Sequence, residues 1–214
     1  PRPRYALPEV VKRFVERHPR VRLSMHQGSL TQIAEWTIKG EADIAIATEA
    51  LDQYSQLIML PCYQWGHCVI APDGHPILNE PGLSLQSLAR WPLITYDPAF
   101  SGRSRINKAF ERAGLEPNVV LAAIDADVIK TYVGLGLGLG IIAHMAFDPA
   151  RDTGLKALDA THLFGTNTTR LGLRRGTYLR RFEYDFIELF APQLGRKAVD
   201  MAMAGTGNQD EYQL

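Results

Sequence analysis

Cys62, His67 and Cys68 stand within one heptapeptide, Cys62-Tyr-Gln-Trp-Gly-His67-Cys68, and are the side chains best suited to hold a metal ion. The pattern argues against it, because the usual close ligand pair and a fourth ligand are missing. These are the only two cysteines in 214 residues, too few for a disulfide framework. Two reduced thiols on or beside a buried strand is the reading that remains. Of the other histidines, His18, His75 and His162 fall in loops, and His26 and His144 end apolar stretches. With no His-x-x-x-His pair and no Ser/His/Asp constellation, all read as surface or satisfied-core histidines. Asp125 and Asp127 suggest acid–base chemistry, but both lie at a helix start, where carboxylates stabilise the helix in any case.

The run Gly134-x-Gly-x-Gly-x-Gly140 invites a dinucleotide reading and fails on context. That fingerprint follows a strand and opens a helix, whereas here glycine follows a helix and precedes a strand. A close-packed helix-to-strand turn is expected instead. Thr48 closes a buried strand and either forms a turn or donates to an anion. Ser101 either caps its helix or marks a helix N-terminus that receives an anion. The residues alone leave both choices open. Arg174-Arg175 and Arg180-Arg181 flank a helix with Glu183, Asp185 and Glu188, which reads as a solvated face.

Composition narrows the classes. The 23 basic and 23 acidic side chains cancel, against a nucleic-acid-binding surface over the whole chain. Patches stay possible. No apolar run is long enough for a transmembrane helix. Pro1-Arg-Pro-Arg-Tyr5 has neither the apolar segment nor the cleavage site of a secretory signal, and lacks an initiator Met. A processed product, a fragment or a trimmed chain is expected.

Several elements must position these residues. Pro8 opens a first helix carrying Leu7, Val10, Val11, Phe14 and Val15, and His18-Pro19 stops it. Val21, Leu23 and Met25 alternate with polar residues as in a half-buried strand. Gln27-Gly28 turns the chain into a capping box, Ser29 to Gln32, whose helix ends at Gly40. Asp43 to Thr48 is a strand covered on both faces, as in a parallel sheet. Leu57 to Pro72 is a strand pair or one long crossing strand. A short helix at Leu83 to Leu88 and a strand at Trp91 to Tyr96 follow. Next come a helix after Ser104 closed by Gly114, a buried strand at Val119 to Ile124, a helix capped by Asp125 or Asp127, and the strand Ile141 to Ala143. The last clear helix starts near Tyr178, and Gly195 onward reads as a frayed tail. Two βαβ-like blocks, about 5–60 and 90–145, imply two similar α/β lobes with a cleft, where ligands meet strand carboxyl ends and helix N-termini.

Seven segments carry a resemblance. They are Arg4-Tyr-Ala-Leu-Pro8, His26-Gln-Gly-Ser29 with Thr31 to Ala34, Ala42 to Ala50, Leu60-Pro-Cys-Tyr-x-Trp65, Gly102-Arg-Ser104, Asp125 to Val133 and Tyr184 to Ile187. Together they resemble the effector-binding domain of LysR-type transcriptional regulators, within them the CysB-type activators of cysteine biosynthesis and sulfur assimilation. The resemblance implies an α/β fold of two Rossmann-like lobes with a ligand cleft between them, of the periplasmic-binding-protein type II-like kind. Lobe I would comprise 1–62 plus 167–195 and lobe II 63–166, with 196–214 a flexible C-terminal tail. It implies no cofactor and no enzymatic activity. The ligand would be a small anionic effector, N-acetylserine or O-acetylserine, with sulfate or thiosulfate in the same anion site. Thr48 matches a ligand-contacting threonine, and Ser101 keeps the hydroxyl of another. Gln27, Gly28 and Trp65 would line the same cleft. The family has a Thr-x-Thr-Gln strand just before Arg4, and an N-terminal winged helix-turn-helix before that. Both are expected to be absent here, so that DNA is met only through the absent domain. A cytoplasmic location without membrane contact is implied, with a homodimer, and a homotetramer at full length; Pro8 to Arg17 is the candidate dimer surface. Two competitors are a solute-binding protein for transport, told apart by a signal sequence or lipidated Cys, and an enzyme on a similar scaffold, which needs a cleft nucleophile or acid–base pair.

Overall fold

The computed structural model describes residues 2–48, 53–98 and 103–205, with side chains from Leu7 onward. The chain divides into two compact units. A split unit holds Pro3–Gln64 and the chain from Thr168 on, and a continuous unit holds Trp65–Asn167.

The split unit begins with α1 (Arg2–Arg17). Pro8 does not open this helix but lies inside it. Leu7, before the proline, shares a buried stripe with Val10, Val11 and Phe14, so packing carries the helix across the proline. Arg17 ends it because His18 precedes Pro19 and resists helical backbone. The strand expected at Val21 to Met25 is not formed. Residues 22–29 have no regular structure, and Met25 is 67% exposed. A strand needs a neighbouring backbone ladder, and no described strand offers one here. α2 (Leu30–Lys39) carries the capping box: Gln32 N–H donates to Ser29 Oγ at 3.3 Å, and Ser29 N–H to Gln32 Oε1 at 2.9 Å. Gly40 closes it at φ 77°, in the left-handed region. β1 (Ala45–Ala47) follows, then β2 (Leu57–Trp65).

The continuous unit starts after Gly66 with β3 (His67–Pro72). β2 and β3 are therefore consecutive strands in two different sheets, not a hairpin. α3 (Leu85–Ala89), capped by Ser84, leads to β4 (Leu93–Tyr96), α4 (Arg103–Arg112) and β5 (Val119–Ala123). α5 (Ala126–Gly134), β6 (Leu139–Ala143), β7 (Leu155–Asp159) and α6 (Thr161–Phe164) complete it. The sheet order is β5-β4-β6-β3-β7. β4 is parallel to β5 and β6, while β3 is antiparallel to β6 and β7. Val69, Ala71 and Ile141 on one sheet face pack with Ile106, Phe110 and Phe164 from α4 and α6. α5 covers the opposite face. The expected burial of β5 is corrected: it is an edge strand with Val120 half exposed. The glycine run forms the tight turn expected of it. A Cβ on Gly138 would lie 2.5 Å from Pro92 O, and one on Gly140 2.5 Å from Ile70 Cγ1.

The chain returns through β8 (Asn167–Arg174), the middle strand of the order β1-β8-β2. β1 pairs with β8 antiparallel, not parallel as its apolar run suggested. An apolar run reports that both faces are covered, but carries no signal for direction. α7 (Arg181–Phe190) starts three residues later than expected, behind the Arg180–Glu183 box. Of the segment read as a frayed tail, Arg196–Met203 forms α8, while residues 206–214 lie outside the described residues. Val199 is buried, the Tyr184 hydroxyl donates to Asp200, and the Arg196 guanidinium lies 4.8 Å from the Tyr184 ring centroid. Leu7, Phe14, Leu60, Leu171, Phe186 and Phe190 centre this unit's core.

Candidate functional site

In the split unit the candidate residues gather at one end. Only Gly40 to Ile44 separate α2 from β1, so the strand runs back along the helix. Ala47 near the strand's end packs with Ala34 in the first half of α2. Half-buried Thr48, which follows, thereby comes to the N-terminal side of α2. Gln27 is exposed and Gly28 half-buried in the segment that feeds this helix. Gly28 carries no side chain for a reason: a Cβ there would sit 2.8 Å from Trp36 Cη2. The capping box satisfies Gln32 N–H and leaves those of Leu30 and Thr31, which no helical carbonyl reaches, at the helix end. Such groups, with the helix dipole and a hydroxyl, favour an anion.

The continuous unit offers a comparable end. Buried Trp65 meets the His67 ring at 5.3 Å between centroids. Ser101 lies outside the described residues. Just beyond it, Arg103 ties the first turn of α4 to the end of β4, donating from Nη1 to Tyr96 O at 2.8 Å and from Nε to Asn107 Oδ1 at 2.7 Å. Burial lowers the Arg103 pKa from its ordinary value, with Asp97 opposing.

The heptapeptide of possible metal ligands is dispersed. Cys62 belongs to the split unit, and Cys68 to the continuous one. His67 and Cys68 are successive strand residues and point to opposite faces. Both cysteines are buried and outside any disulfide, and burial with Asp159 nearby pushes the Cys68 thiol up to about 12. Among the described residues no group of His, Cys, Asp or Glu is arranged to hold a metal. Asp125 caps α5, its Oδ1 accepting from Asp127 N–H at 2.7 Å. Asp127 pairs with Lys130, which also donates to both oxygens of Asp152 and to Ala146 O. Arg180 is neutralised by Glu183 and Asp43.

Sequence reasoning passed over His67 as more than a failed metal ligand. It is fully buried, and burial, then the charge of Arg105, lowers its pKa to about 4. Its even spacing with Val69 and Ala71 was the signal that it faces the core.

Helix starts beside strand carboxyl ends are where α/β units of this kind receive small molecules. The LysR substrate binding domain pattern matches residues 3–195, and the chain belongs to that family. It is 54% identical over 196 residues to the HTH-type transcriptional regulator SsuR of Burkholderia cenocepacia, covering 92% of this chain and 64% of that protein. It is 51% identical over 211 residues to the regulator CysB of the same organism, covering 99% and 67%. The chain thus spans about two-thirds of the length of these curated relatives, which are transcriptional regulators and not enzymes. The crystal structure of the cofactor-binding domain of the Cbl transcriptional regulator superposes with a TM-score of 0.89 at 44% identity, covering 94% of this chain and 89% of that one. The fold is therefore the α/β, two-lobed, periplasmic-binding-protein type II-like fold of LysR effector-binding domains. Among the described residues no helix is long and apolar enough to cross a membrane.

Proposed function

We propose that this chain is the effector-sensing domain of a LysR-type regulator of sulfur assimilation and cysteine biosynthesis. Its ligand is a small anionic inducer, N-acetylserine or O-acetylserine, or the inorganic anions sulfate and thiosulfate. Thr48 and Ser101 donate hydroxyls, and Gln27, Gly28 and Trp65 shape the surroundings. The observation that carries the reading is the end of the split unit, where Thr48 comes to the N-terminus of a capped helix beside Gln27 and Gly28. Helix amides and a hydroxyl hold an anion without a buried counter-charge. Relatedness to CysB and SsuR supports the sulfur assignment. Ligand occupancy shifts the balance between lobe arrangements, and through it an oligomer. That oligomer is a homodimer using the face of α1, within a homotetramer for the longer cytoplasmic regulator, whose helix-turn-helix meets DNA.

Calorimetry with N-acetylserine, O-acetylserine, sulfate and thiosulfate tests the reading. At least one should bind below millimolar, and Thr48→Val should weaken it by about tenfold for the loss of one hydroxyl donor to an anion. A folded protein that binds none of the four at millimolar concentration refutes it.

A further inference from the structure

Trp36 is a large aromatic side chain on the wrong side of its helix for a core residue. It comes two residues after fully buried Ala34, which puts it on nearly the opposite side of α2. It is not among the residues that pack with Ala34 and Ala47, yet it is half-buried. Something other than the core covers it.

The cover is the segment that feeds α2. Helical side chains lean toward the helix N-terminus, so the Trp36 indole reaches back past Gln32, four residues before it. There it meets the backbone of Gly28, where a Cβ would stand 2.8 Å from Cη2 and 2.9 Å from Cζ3. Gly28 is not in the left-handed region, so its missing side chain answers to the ring and not to a turn. The His26 ring lies 5.9 Å from the Trp36 ring between centroids. Little else holds this stretch. Among the described residues, 22–28 make no backbone hydrogen bond, and Leu23 and Met25 are 37% and 67% exposed. The Ser29–Gln32 box fixes only the last residue before the helix. Trp36 is thus the main anchor of a segment that ends beside the first turn of α2.

We propose that Trp36 is a positioning residue, whose indole holds His26 to Gly28 against α2 and so presents Gln27 at the helix start where the anionic effector binds. The inference rests on the effector reading above and adds a residue that the resemblance does not assign. The ring does not touch the ligand. It orders the segment before the ligand arrives, so that binding is not charged with ordering it.

The test uses the whole chain, with sulfate and N-acetylserine as probes in calorimetry. Trp36→Ala should weaken binding about tenfold, while Trp36→Phe keeps a ring on Gly28 and should stay within about twofold of the wild type. Gly28→Ala drives the segment off the ring and should cost a similar factor to Trp36→Ala. In the double variant the new Cβ enters the space the indole left, so its affinity should match that of Trp36→Ala alone within about twofold. The amides of Gln27 and Gly28 should be rigid on the nanosecond scale in the wild type by nitrogen relaxation. In Trp36→Ala they should be mobile and should stiffen on saturation with the probe. Unchanged affinity in Trp36→Ala, losses that multiply in the double variant, or amides that stay rigid without the indole each overturn the inference alone. Failure of the wild type to bind either probe overturns the effector reading and the inference with it. If Trp36→Ala does not fold, Gly28→Ala decides, and unchanged affinity there overturns the inference.

Discussion

Acid should unfold this protein partly through one histidine. The His67 pKa falls from 6.5 to about 4 in the folded chain because burial penalises the cation, with Arg105 adding to the effect. Between those two values the unfolded chain binds a proton that the folded chain refuses. Stability from this group is therefore complete above about pH 6.5 and is lost as pH falls toward 4. At about 1.4 kcal/mol per pH unit across that interval, roughly 3 kcal/mol disappears, a large part of an ordinary domain's margin. The perturbation is His67→Phe, which removes the titration while keeping an aromatic ring against Trp65 and Phe164. Urea unfolding followed by circular dichroism at half-unit steps from pH 7.5 to 4.5 measures it. Carboxylates titrate in both proteins below pH 5, so the difference between the two curves isolates the imidazole. The wild-type curve should fall away from that of the variant below pH 6.5. Parallel curves would refute the assignment of a buried, neutral imidazole.

Gly138→Ala should cost about 3 kcal/mol of unfolding free energy, since the new Cβ meets the Pro92 carbonyl, which is backbone and has no rotamer to escape into; Gly134→Ala, with nothing within 4 Å, should be neutral or slightly stabilising in the same urea titration. Lys130→Met should cost about 3 kcal/mol by thermal or chemical unfolding, because Lys130 and Asp152 are each only 12% exposed and the change strands a buried carboxylate; a loss below about 1 kcal/mol would show that Asp148 N–H and solvent suffice for Asp152.

Much of the framework around the candidate site was legible one segment at a time. The Ser29 to Gln32 box, the Gly40 terminator and the Asp125 cap are each completed within a few residues, so sequence and structure agree on them. The Thr48 strand end and the Gly28 entry to α2 followed from the same local logic. The complete burial of His67 was not legible, since its ring neighbour Phe164 is distant in sequence. α8 was overlooked because its glycine-led, weakly apolar sequence folds only by docking Val199 and the Tyr184–Asp200–Arg196 contact against α7.

What the sequence determined by itself is therefore local: where helices are capped, where His18-Pro19 breaks one, and where glycine permits a close turn. It also fixed which side of each segment is apolar. Tertiary structure alone decided whether that apolar side found cover. Val21 to Met25 has the alternation of a strand and stays without a ladder, β1 meets β8 antiparallel, and β5 becomes an edge. Caps and turns close hydrogen bonds between residues three or four apart, whereas a strand's direction, its neighbours and the burial of an imidazole depend on segments about a hundred residues away.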